Sequence, residues 1–324
     1  MGTLLEVKHL NKHFNVASGT LFAVDNVSFS IDEGNTLGIV GESGCGKSTL
    51  GRAILRLHEP TSGRVIFDGM DVTSFNDEEM RQMRRHMQII FQDPYSSLNP
   101  RLTISQSIEE PLRVFQKYMG DRERKARVEE LMELVGLSAR SYNAYPHEFD
   151  GGRRQRVVIA RTLAVNPKFV VCDEPVSALD VSVQAQILNL MVDLREKMGL
   201  TYIFISHDLS VVRYISDNVG VMYMGQMVEF ASKKDIFDDP AHPYTHALMS
   251  AIPSIEVGRR RMILKGEIVS PINPKPGCRF SARCPFVKEV CVARDVPIEE
   301  IAPGHYCACA RHKEIKGLPF VYAN

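Results

Sequence analysis

The sequence has no net charge, no long apolar run and no export signal of the usual kind. Its 39 basic residues balance 39 acidic ones, so the overall charge gives no reason to expect nucleic-acid binding. No stretch reaches the roughly 18 apolar residues of a membrane-spanning helix, and we expect any membrane association to go through a partner. The N-terminal MGTLLEVKHLNKHF lacks an apolar core with a cleavage site, and Glu6 stands where a myristoylation signal has Ser or Thr.

The seven cysteines are unevenly distributed. Two lie far apart, at Cys45 and Cys172, and the other five crowd the C-terminal region at Cys278, Cys284, Cys291, Cys307 and Cys309. This region is also broken by prolines and contains no long periodic element, so it cannot bury much apolar surface. Such a distribution favours a local metal or cluster site in a reducing compartment over a disulfide framework.

The order of predicted elements indicates an α/β protein. LLEVKHL and FAVDNVSFSI alternate with a two-residue period and predict paired strands, which form an antiparallel β subdomain. KFVVCDEP, TYIFISHD and VGVMYMGQMVEF predict three further strands, with an amphipathic helix before the second. Residues from about 100 to 163 have a helical pattern, which predicts a helical insert in a mostly parallel sheet. We expect one domain over 1–255 and a small, irregular, cysteine-rich domain over 256–324.

The segment GESGCGKST matches the phosphate-loop pattern and stands between an apolar strand and a helix, as that motif requires. Its glycines let backbone N–H groups face phosphates, and the helix start adds positive potential. Lys47 is expected to contact the outer phosphates, and Ser48 to bind Mg²⁺. The predicted contacts in this loop are Gly41, Ser43, Gly44, Cys45, Gly46, Lys47, Ser48 and Thr49.

Three other strand ends carry polar residues suited to phosphate chemistry. Asp173 closes an apolar strand and is expected to hold the magnesium shell through water, while Glu174 can accept a proton from the attacking water. His207 follows another strand and can hydrogen-bond a γ-phosphate; the alternative is a surface histidine that caps the strand. Gln92 is placed to touch Mg²⁺ and water through its amide.

The nucleotide is expected to be ATP. A GTPase needs a guanine-reading N-K-x-D motif, and the nearest match, SKKD at Ser232, lacks the Asn and follows no apolar strand. Phe14 precedes the phosphate loop and is the candidate for stacking on adenine, with packing in the core as the alternative. Magnesium, a phosphate loop and a carboxylate base together predict hydrolysis or transfer of a γ-phosphate.

Taken in order, GESGCGKST, FQDP, DGGRRQR, VVCDEP, SALD and ISHD resemble the nucleotide-binding subunits of ABC transporters over about residues 4 to 252. The resemblance implies a P-loop NTPase of the ABC ATPase type. It also implies a head-to-tail pair of subunits, in which each ATP lies between the phosphate loop of one and the signature motif of the other. The SALD loop, Ser177 to Asp180, would lie at the dimer contact, and the loop from Gln92 through Arg101 would receive the membrane subunits.

The C-terminal region, with CRFSARCPFVKEVC and GHYCAC, resembles the extension of di- and oligopeptide importer ATPases. Some members of that family carry a 4Fe-4S cluster there, and the matching cysteines are Cys278, Cys284, Cys291 and Cys309. Cys307 stands where the family pattern usually has an aliphatic residue. Zinc held by three cysteines and His305 or His312 is an alternative, and unligated structural cysteines are another.

The resemblance implies an ATP-hydrolysing subunit that energises peptide import from the cytoplasmic face of a prokaryotic membrane. Its partners would be two membrane-spanning permease subunits, a second ATPase subunit and, indirectly, an extracytoplasmic peptide-binding protein, with no nucleic acid. Two other functions compete. One is a soluble ABC-type ATPase that acts on nucleic acid with a zinc tail, against which the scattered charges of the tail argue. The other is a regulatory clamp that binds ATP without hydrolysing it.

The signature motif departs from the family's usual LSGGQ. In FDGGRRQR, Phe149 replaces Leu, Asp150 replaces Ser and Arg153 replaces Gln. The family's Ser donates to the partner's γ-phosphate, whereas an ionised Asp150 cannot donate and repels that phosphate. Arg153 offsets part of the charge, and Gly151 and Gly152 retain their N–H groups. The alternative is that Asp150 caps the helix and faces away from the nucleotide. We expect an unlike partner subunit, with one strong and one weak ATP site.

Overall fold

The computed structural model describes residues 2–251 and 271–315. The predicted boundary between 255 and 256 lies outside these residues. By its internal contacts the chain divides into two compact units. Among the described residues, the first consists of Ser74–Ile205 with the short pieces 2–4 and Asp32–Asn35, and the second of Leu5–Ile31, Thr36–Thr73 and 206–251 with 271–315.

Strands and helices alternate through most of the chain. The strands are β1 Thr3–Val16, β2 Gly19–Asp32, β3 Thr36–Val40, β4 Ser62–Phe67, β5 Met70–Asp71, β6 Met87–Ile90, β7 Phe169–Asp173, β8 Thr201–Ile205, β9 Asn218–Tyr223, β10 Gln226–Ser232, β11 Glu299–Ala302 and β12 His305–Cys307. The helices are α1 Lys47–Ile54, α2 Asp77–Met83, α3 Ile104–Phe115, α4 Asp121–Leu134, α5 Gly151–Leu163, α6 Val181–Met198, α7 Leu209–Ile215, α8 Lys233–Asp238, α9 Pro243–Ser250, α10 Glu289–Ala293 and α11 His312–Ile315.

The first unit combines parallel strands with a group of helices. Strand β7 pairs in parallel with β6 on one side and with β8 on the other, and every residue of β7 and β8 is buried. Such continuous burial explains why these segments are apolar throughout and do not alternate. Helices α3, α4 and α5 pack on one another, and α5 also packs on α6 and β6. Helix α5 therefore connects the helical insert with the strands of this unit.

The second unit contains strands in two arrangements. One sheet has the order β2-β1-β4-β5, in which β4 pairs antiparallel with β1 on one side and with β5 on the other. In the other arrangement β3 pairs with β9 in parallel, and β10, β12 and β11 follow in antiparallel order. The core beside β9 and β10 includes Val40, Val221, Tyr244 and Phe280, which brings part of the C-terminal region into the interior.

Two sequence predictions differ from these elements. The run VGVMYMGQMVEF forms two strands, β9 and β10, and the prediction of one strand is wrong. Met224 and Gly225 both have positive φ, 45° and 84°, which is the backbone of a tight hairpin turn. The C-terminal region is also less irregular than predicted, because β12 pairs with β10 at Glu229 and Phe230. None of the helices in the described ranges is long and apolar enough to cross a membrane.

Candidate nucleotide-binding site

The phosphate loop joins the fully buried strand β3 to helix α1. Gly41, Gly44 and Gly46 all have positive φ. A Cβ on Gly41 would lie 2.2 Å from the carbonyl oxygen of Met222, and one on Gly46 would lie 2.0 Å from that of Ala23. Only glycine fits these two positions, because both the backbone conformation and the close approach exclude a side chain. Gly46 caps α1 without a side-chain hydrogen bond, so the positive end of the helix is not covered by its own cap residue.

Lys47 is buried inside the loop that it follows, with 5% of its surface exposed. Its ammonium group donates to the carbonyl oxygens of Gly41 at 2.8 Å and Glu42 at 2.9 Å, and lies 3.8 Å from the sulfur of Cys45. Burial raises the pKa of the Cys45 thiol, and the neighbouring Lys47 opposes that rise. The lysine charge is therefore held at the centre of the loop, where sequence reasoning expects the outer phosphates.

Glu42 is a loop residue to which sequence reasoning gave no role. Its carboxylate accepts two hydrogen bonds from Arg283, at 2.7 and 3.0 Å, and its backbone N–H donates to the hydroxyl of Tyr244 at 2.9 Å. Arg283 follows Glu42 by 241 residues and belongs to the cysteine-bearing segment. The sequence gives only a partial signal, because Glu42 is an acidic residue in a loop predicted to bind an anion.

The acidic end of β7 brings two predicted residues together. Asp173 is buried, and Glu174 after it has a positive φ of 50°, an uncommon conformation for a residue other than glycine. The Glu174 backbone is held by its N–H to the carbonyl of Ile205 at 3.0 Å and by the Ser177 hydroxyl, which donates to its carbonyl at 3.1 Å. The amide of Gln92 donates to the Glu174 carboxylate at 3.0 Å. Gln92 therefore directly orients the predicted base.

The loop after Gln92 contacts helix α5, which carries the signature motif at its start. The guanidinium of Arg154 lies over the ring of Tyr95, with 5.1 Å to the centroid. Arg161, about two helical turns after Arg154, donates to the carbonyl of Ser97. Tyr95 is largely exposed, at 61%. The predicted partner-facing loop is thereby joined to the signature helix by two arginines, a connection that sequence reasoning did not find.

Asp150 caps helix α5. Its carboxylate accepts from the backbone N–H of Arg153 at 2.8 Å, and the Arg153 side chain approaches its other oxygen at 3.3 Å. Behind this cap, Gly151 and Gly152 lie against the SALD loop and the start of α6: a Cβ on Gly151 would meet Leu179 at 3.0 Å, and one on Gly152 would meet Val183 at 2.5 Å. The alternative that Asp150 serves as a helix cap thus has direct geometric support.

His207 and Phe14, the two other residues predicted to contact the nucleotide, lie outside the segments described so far. His207 is exposed between β8 and α7. Phe14 is half-buried near the end of β1, with the Lys12 ammonium 4.8 Å above its ring and His58 edge-on at 5.7 Å. Phe14 is therefore not enclosed in the core. Its ring is contacted locally by Lys12 and His58.

The four predicted cluster cysteines line one cavity of about 10 Å³, whereas Cys307 is buried beside Glu229. Burial raises the pKa of Cys278, Cys284 and Cys309 to about 11 each. A space of this size holds about one water. In the parts of the chain that the structure describes, no three His, Cys, Asp or Glu side chains are arranged to hold a metal ion. Neither the predicted 4Fe-4S centre nor the zinc alternative is therefore shown by the geometry of the described residues.

The histidines of the zinc alternative make other contacts. His305 Nε2 is hydrogen-bonded to the buried carboxylate of Glu229 at 2.7 Å. His312 Nδ1 lies 3.1 Å from the carbonyl of Cys309. The nearest partners of both rings are thus oxygen atoms of the protein.

A phosphate loop between a buried parallel strand and a helix, in a chain whose parallel strands β7 and β8 lead into Glu174 and His207, defines a P-loop nucleoside triphosphatase. Residues 24–177 match the model of the ABC transporter family, and residues 228–291 match that of the oligopeptide/dipeptide transporter C-terminal region. The chain belongs to the ABC transporter family of ATP-binding proteins, in the group that carries the oligopeptide/dipeptide transporter C-terminal region. The predicted α/β ABC ATPase fold is thereby confirmed.

Individual relatives agree with this membership. The oligopeptide transport ATP-binding protein AppF of Bacillus subtilis is 51% identical over 95% of this chain and 97% of its own length. OppF of the same organism, also an oligopeptide transport ATP-binding protein, is 48% identical over 94% of this chain and 96% of its own. Among solved structures, the ATP-binding cassette MJ0796, a dimer bound to ADP and phosphate, is 31% identical, with a TM-score of 0.65 over 71% of this chain and 99% of that one.

Proposed function

We propose that this protein is the ATP-hydrolysing subunit of an ABC importer for di- and oligopeptides. The observation that carries the proposal is an intact phosphate loop, with Lys47 at its centre, in a chain 51% identical to an oligopeptide transport ATP-binding protein over nearly its whole length. ATP binding closes a pair of ATPase subunits, hydrolysis reopens it, and this motion drives import through membrane partners.

Within the site, each predicted residue has one role. When ATP binds, the Lys47 ammonium leaves the carbonyls of Gly41 and Glu42 and contacts the outer phosphates. The backbone N–H groups of the loop and the His207 ring also donate hydrogen bonds to these phosphates. Glu174 takes the proton of the attacking water, and Gln92 holds its carboxylate in place. Phe14 stacks on adenine.

The residues assigned to magnesium fit that ion. The Ser48 hydroxyl and the Gln92 amide oxygen are the kind of hard oxygen ligand that Mg²⁺ prefers, with Asp173 acting through water. When bound, the ion neutralises charge on the β- and γ-phosphates. Gln92 donates from its nitrogen to Glu174, so its amide oxygen is left for the metal.

The subunit works in a larger assembly. The SALD loop, Ser177 to Asp180, meets the second ATPase subunit, and the loop from Gln92 through Arg101 receives two permease subunits, so the protein is peripheral at the cytoplasmic face. Support comes from the exposed Tyr95 on that loop and from the dimeric state in which the related MJ0796 was solved. Asp150 in place of the usual Ser favours an unlike second subunit, whose own signature motif serves the ATP at Lys47.

The proposal is tested with Glu174→Gln in the assembled transporter. Removing the base is expected to lower ATP turnover by about 100-fold or more while ATP remains bound. Filter binding of radiolabelled ATP and phosphate release measure the two effects separately. Glu133→Gln, an exposed site on α4, serves as the matched control and should retain full turnover. A Glu174→Gln transporter with most of its activity would contradict the role of this residue.

We also propose that Cys278, Cys284, Cys291 and Cys309 bind a 4Fe-4S cluster. Support comes from the position of all four thiols around one cavity and from the family resemblance. Anaerobically purified protein should be brown, and Cys284→Ser should lose both the iron and the absorbance near 400 nm, whereas Cys307→Ser should keep them. Stoichiometric zinc without iron, or no metal at all, would refute the cluster.

A further inference from the structure

The phosphate loop of this protein contains a carboxylate, which is unexpected for a loop that binds an anion. Glu42 directly follows Gly41, and its carbonyl oxygen accepts from the Lys47 ammonium. A negative charge at this place opposes the phosphates of ATP. The side chain of Glu42 is 21% exposed, so water screens its charge only in part.

Arg283 supplies the opposite charge from the C-terminal region. Its guanidinium forms two parallel hydrogen bonds with the Glu42 carboxylate, and only 8% of its side chain is exposed. The pKa of Arg283 is raised, chiefly because of these hydrogen bonds. Two-point contacts between arginine and a carboxylate have a fixed geometry that lysine does not reproduce.

The segment that carries Arg283 is held firmly beside the loop. Phe280 is 1% exposed and packs its ring against Tyr223 and Tyr244, with centroid distances of 5.3 and 5.4 Å. Tyr244 in turn accepts from the backbone N–H of Glu42. The loop residue is thus contacted through its backbone by α9 and through its side chain by the cysteine-bearing segment.

We propose that Arg283 is a positioning residue for ATP binding, which neutralises Glu42 and fixes the first turn of the phosphate loop. The inference rests on the proposed function, since it concerns the nucleotide bound at Lys47. It makes the C-terminal region part of the structure that determines nucleotide affinity. It also predicts a specific asymmetry: loss of Arg283 leaves an unpaired negative charge beside the phosphates, whereas loss of Glu42 does not.

The test measures MgATP affinity of the full chain with a fluorescent ATP analogue and competing ATP. Arg283→Gln is expected to weaken binding by roughly five-fold or more, the size of coupling usual for contacting charges. Adding Glu42→Gln to that variant is expected to restore affinity to within about two-fold of the wild type. Arg283→Lys keeps the charge but not the two-point contact. Its affinity for MgATP should lie between those of Arg283→Gln and the double variant.

Arg279→Gln is the matched control. Arg279 lies in the same segment but is ion-paired with Asp25 and donates to the carbonyl of Met224, away from Glu42. If it weakens ATP binding as much as Arg283→Gln does, the effect comes from attachment of the segment and the inference is wrong. An Arg283→Gln variant with wild-type affinity, or a double variant as weak as the single one, also overturns it. A wild-type chain that does not bind ATP instead refutes the proposed function itself.

Discussion

Asp150 stabilises the start of its own helix but is expected to disfavour ATP binding in the proposed dimer. As the cap of α5 it accepts a backbone hydrogen bond, and Asp serves in this position about as well as Ser. Its ion pair with Arg153 is highly exposed on both sides and stabilises the helix by less than about 1 kcal/mol. Asp150 therefore suits the fold of this chain, while its charge disfavours the γ-phosphate that the proposed partner would present.

Asp150→Ser is accordingly expected to raise ATP turnover of the assembled transporter with little change in thermal stability, because the cap is retained and the charge is removed. Phosphate release and a thermal melt measure the two quantities. Asp150→Asn keeps the cap and the shape while removing the charge, and it separates the effect of charge from that of the hydroxyl. Unchanged turnover in both variants would mean that Asp150 does not face the nucleotide.

Helix α5 connects several parts of the first unit. Its start packs on the SALD loop and α6, its arginines reach the loop after Gln92, and its body packs on β6. Gln92 in turn contacts Glu174. A shift of the loop from Gln92 through Arg101 is therefore expected to change both the orientation of the proposed base, Glu174, and the position of the signature motif.

Gly152 allows α5 to pack closely on α6. Gly152→Ala would place a methyl group 2.5 Å from Val183, so α5 and α6 must separate slightly, with an expected loss of about 1–3 kcal/mol in unfolding free energy. Chemical denaturation measures that loss. Gly151→Ala meets only the end of the Leu179 side chain, at 3.0 Å, and should cost less. Equal stability of Gly152→Ala and the wild type would show that α6 gives way freely.

Across the whole chain, a buried carboxylate joins residues that are far apart in sequence. Glu229 is fully buried and accepts from the N–H groups of Ala241 and His242 and from the His305 ring, at 2.7 to 2.9 Å. It thereby ties β10 to the start of α9 and to β12. Full satisfaction of this carboxylate by three donors explains how it remains in the interior.

The His242 ring makes stability depend on pH. Burial lowers its pKa from 6.5 to about 4, although Glu229 acts in the opposite direction and His246 adds to the lowering. Between these two values only the unfolded chain binds the proton, so the His242 contribution is full above pH 6.5 and is lost towards pH 4. The melting temperature should fall across this window, and less steeply in His242→Gln. Identical slopes would show that other groups control the effect.

Local patterns in the sequence predict much of this structure. Strand β3, the phosphate loop and α1 follow from an apolar run, glycine spacing and a helix start, all within about 20 residues. Helix α3 runs from Ile104 to Phe115, as its periodicity predicts, with Thr103 as its cap. Gln92 and Glu174, each predicted separately as a site residue, come together because two neighbouring parallel strands end on the same side.

Pairing between distant segments is what the sequence does not reveal. The bond between Glu42 and Arg283, and the pairing of β10 with β12, depend on the path of the chain after Ser206. The turn at Met224 and Gly225 was missed because apolar residues continue on both sides of it. A single sequence carries hydrophobic periodicity but not the register between segments.

Strand β12 has one more consequence, which concerns the exposed edge of the sheet. By pairing with β10 it covers backbone groups that would otherwise form an open sheet edge, and β11 then becomes the outermost strand. That strand has four residues and exposes Glu299 and Glu300. Short, charged edges resist pairing with strands of other chains. The C-terminal region is thus expected to keep this sheet from pairing with strands of other chains.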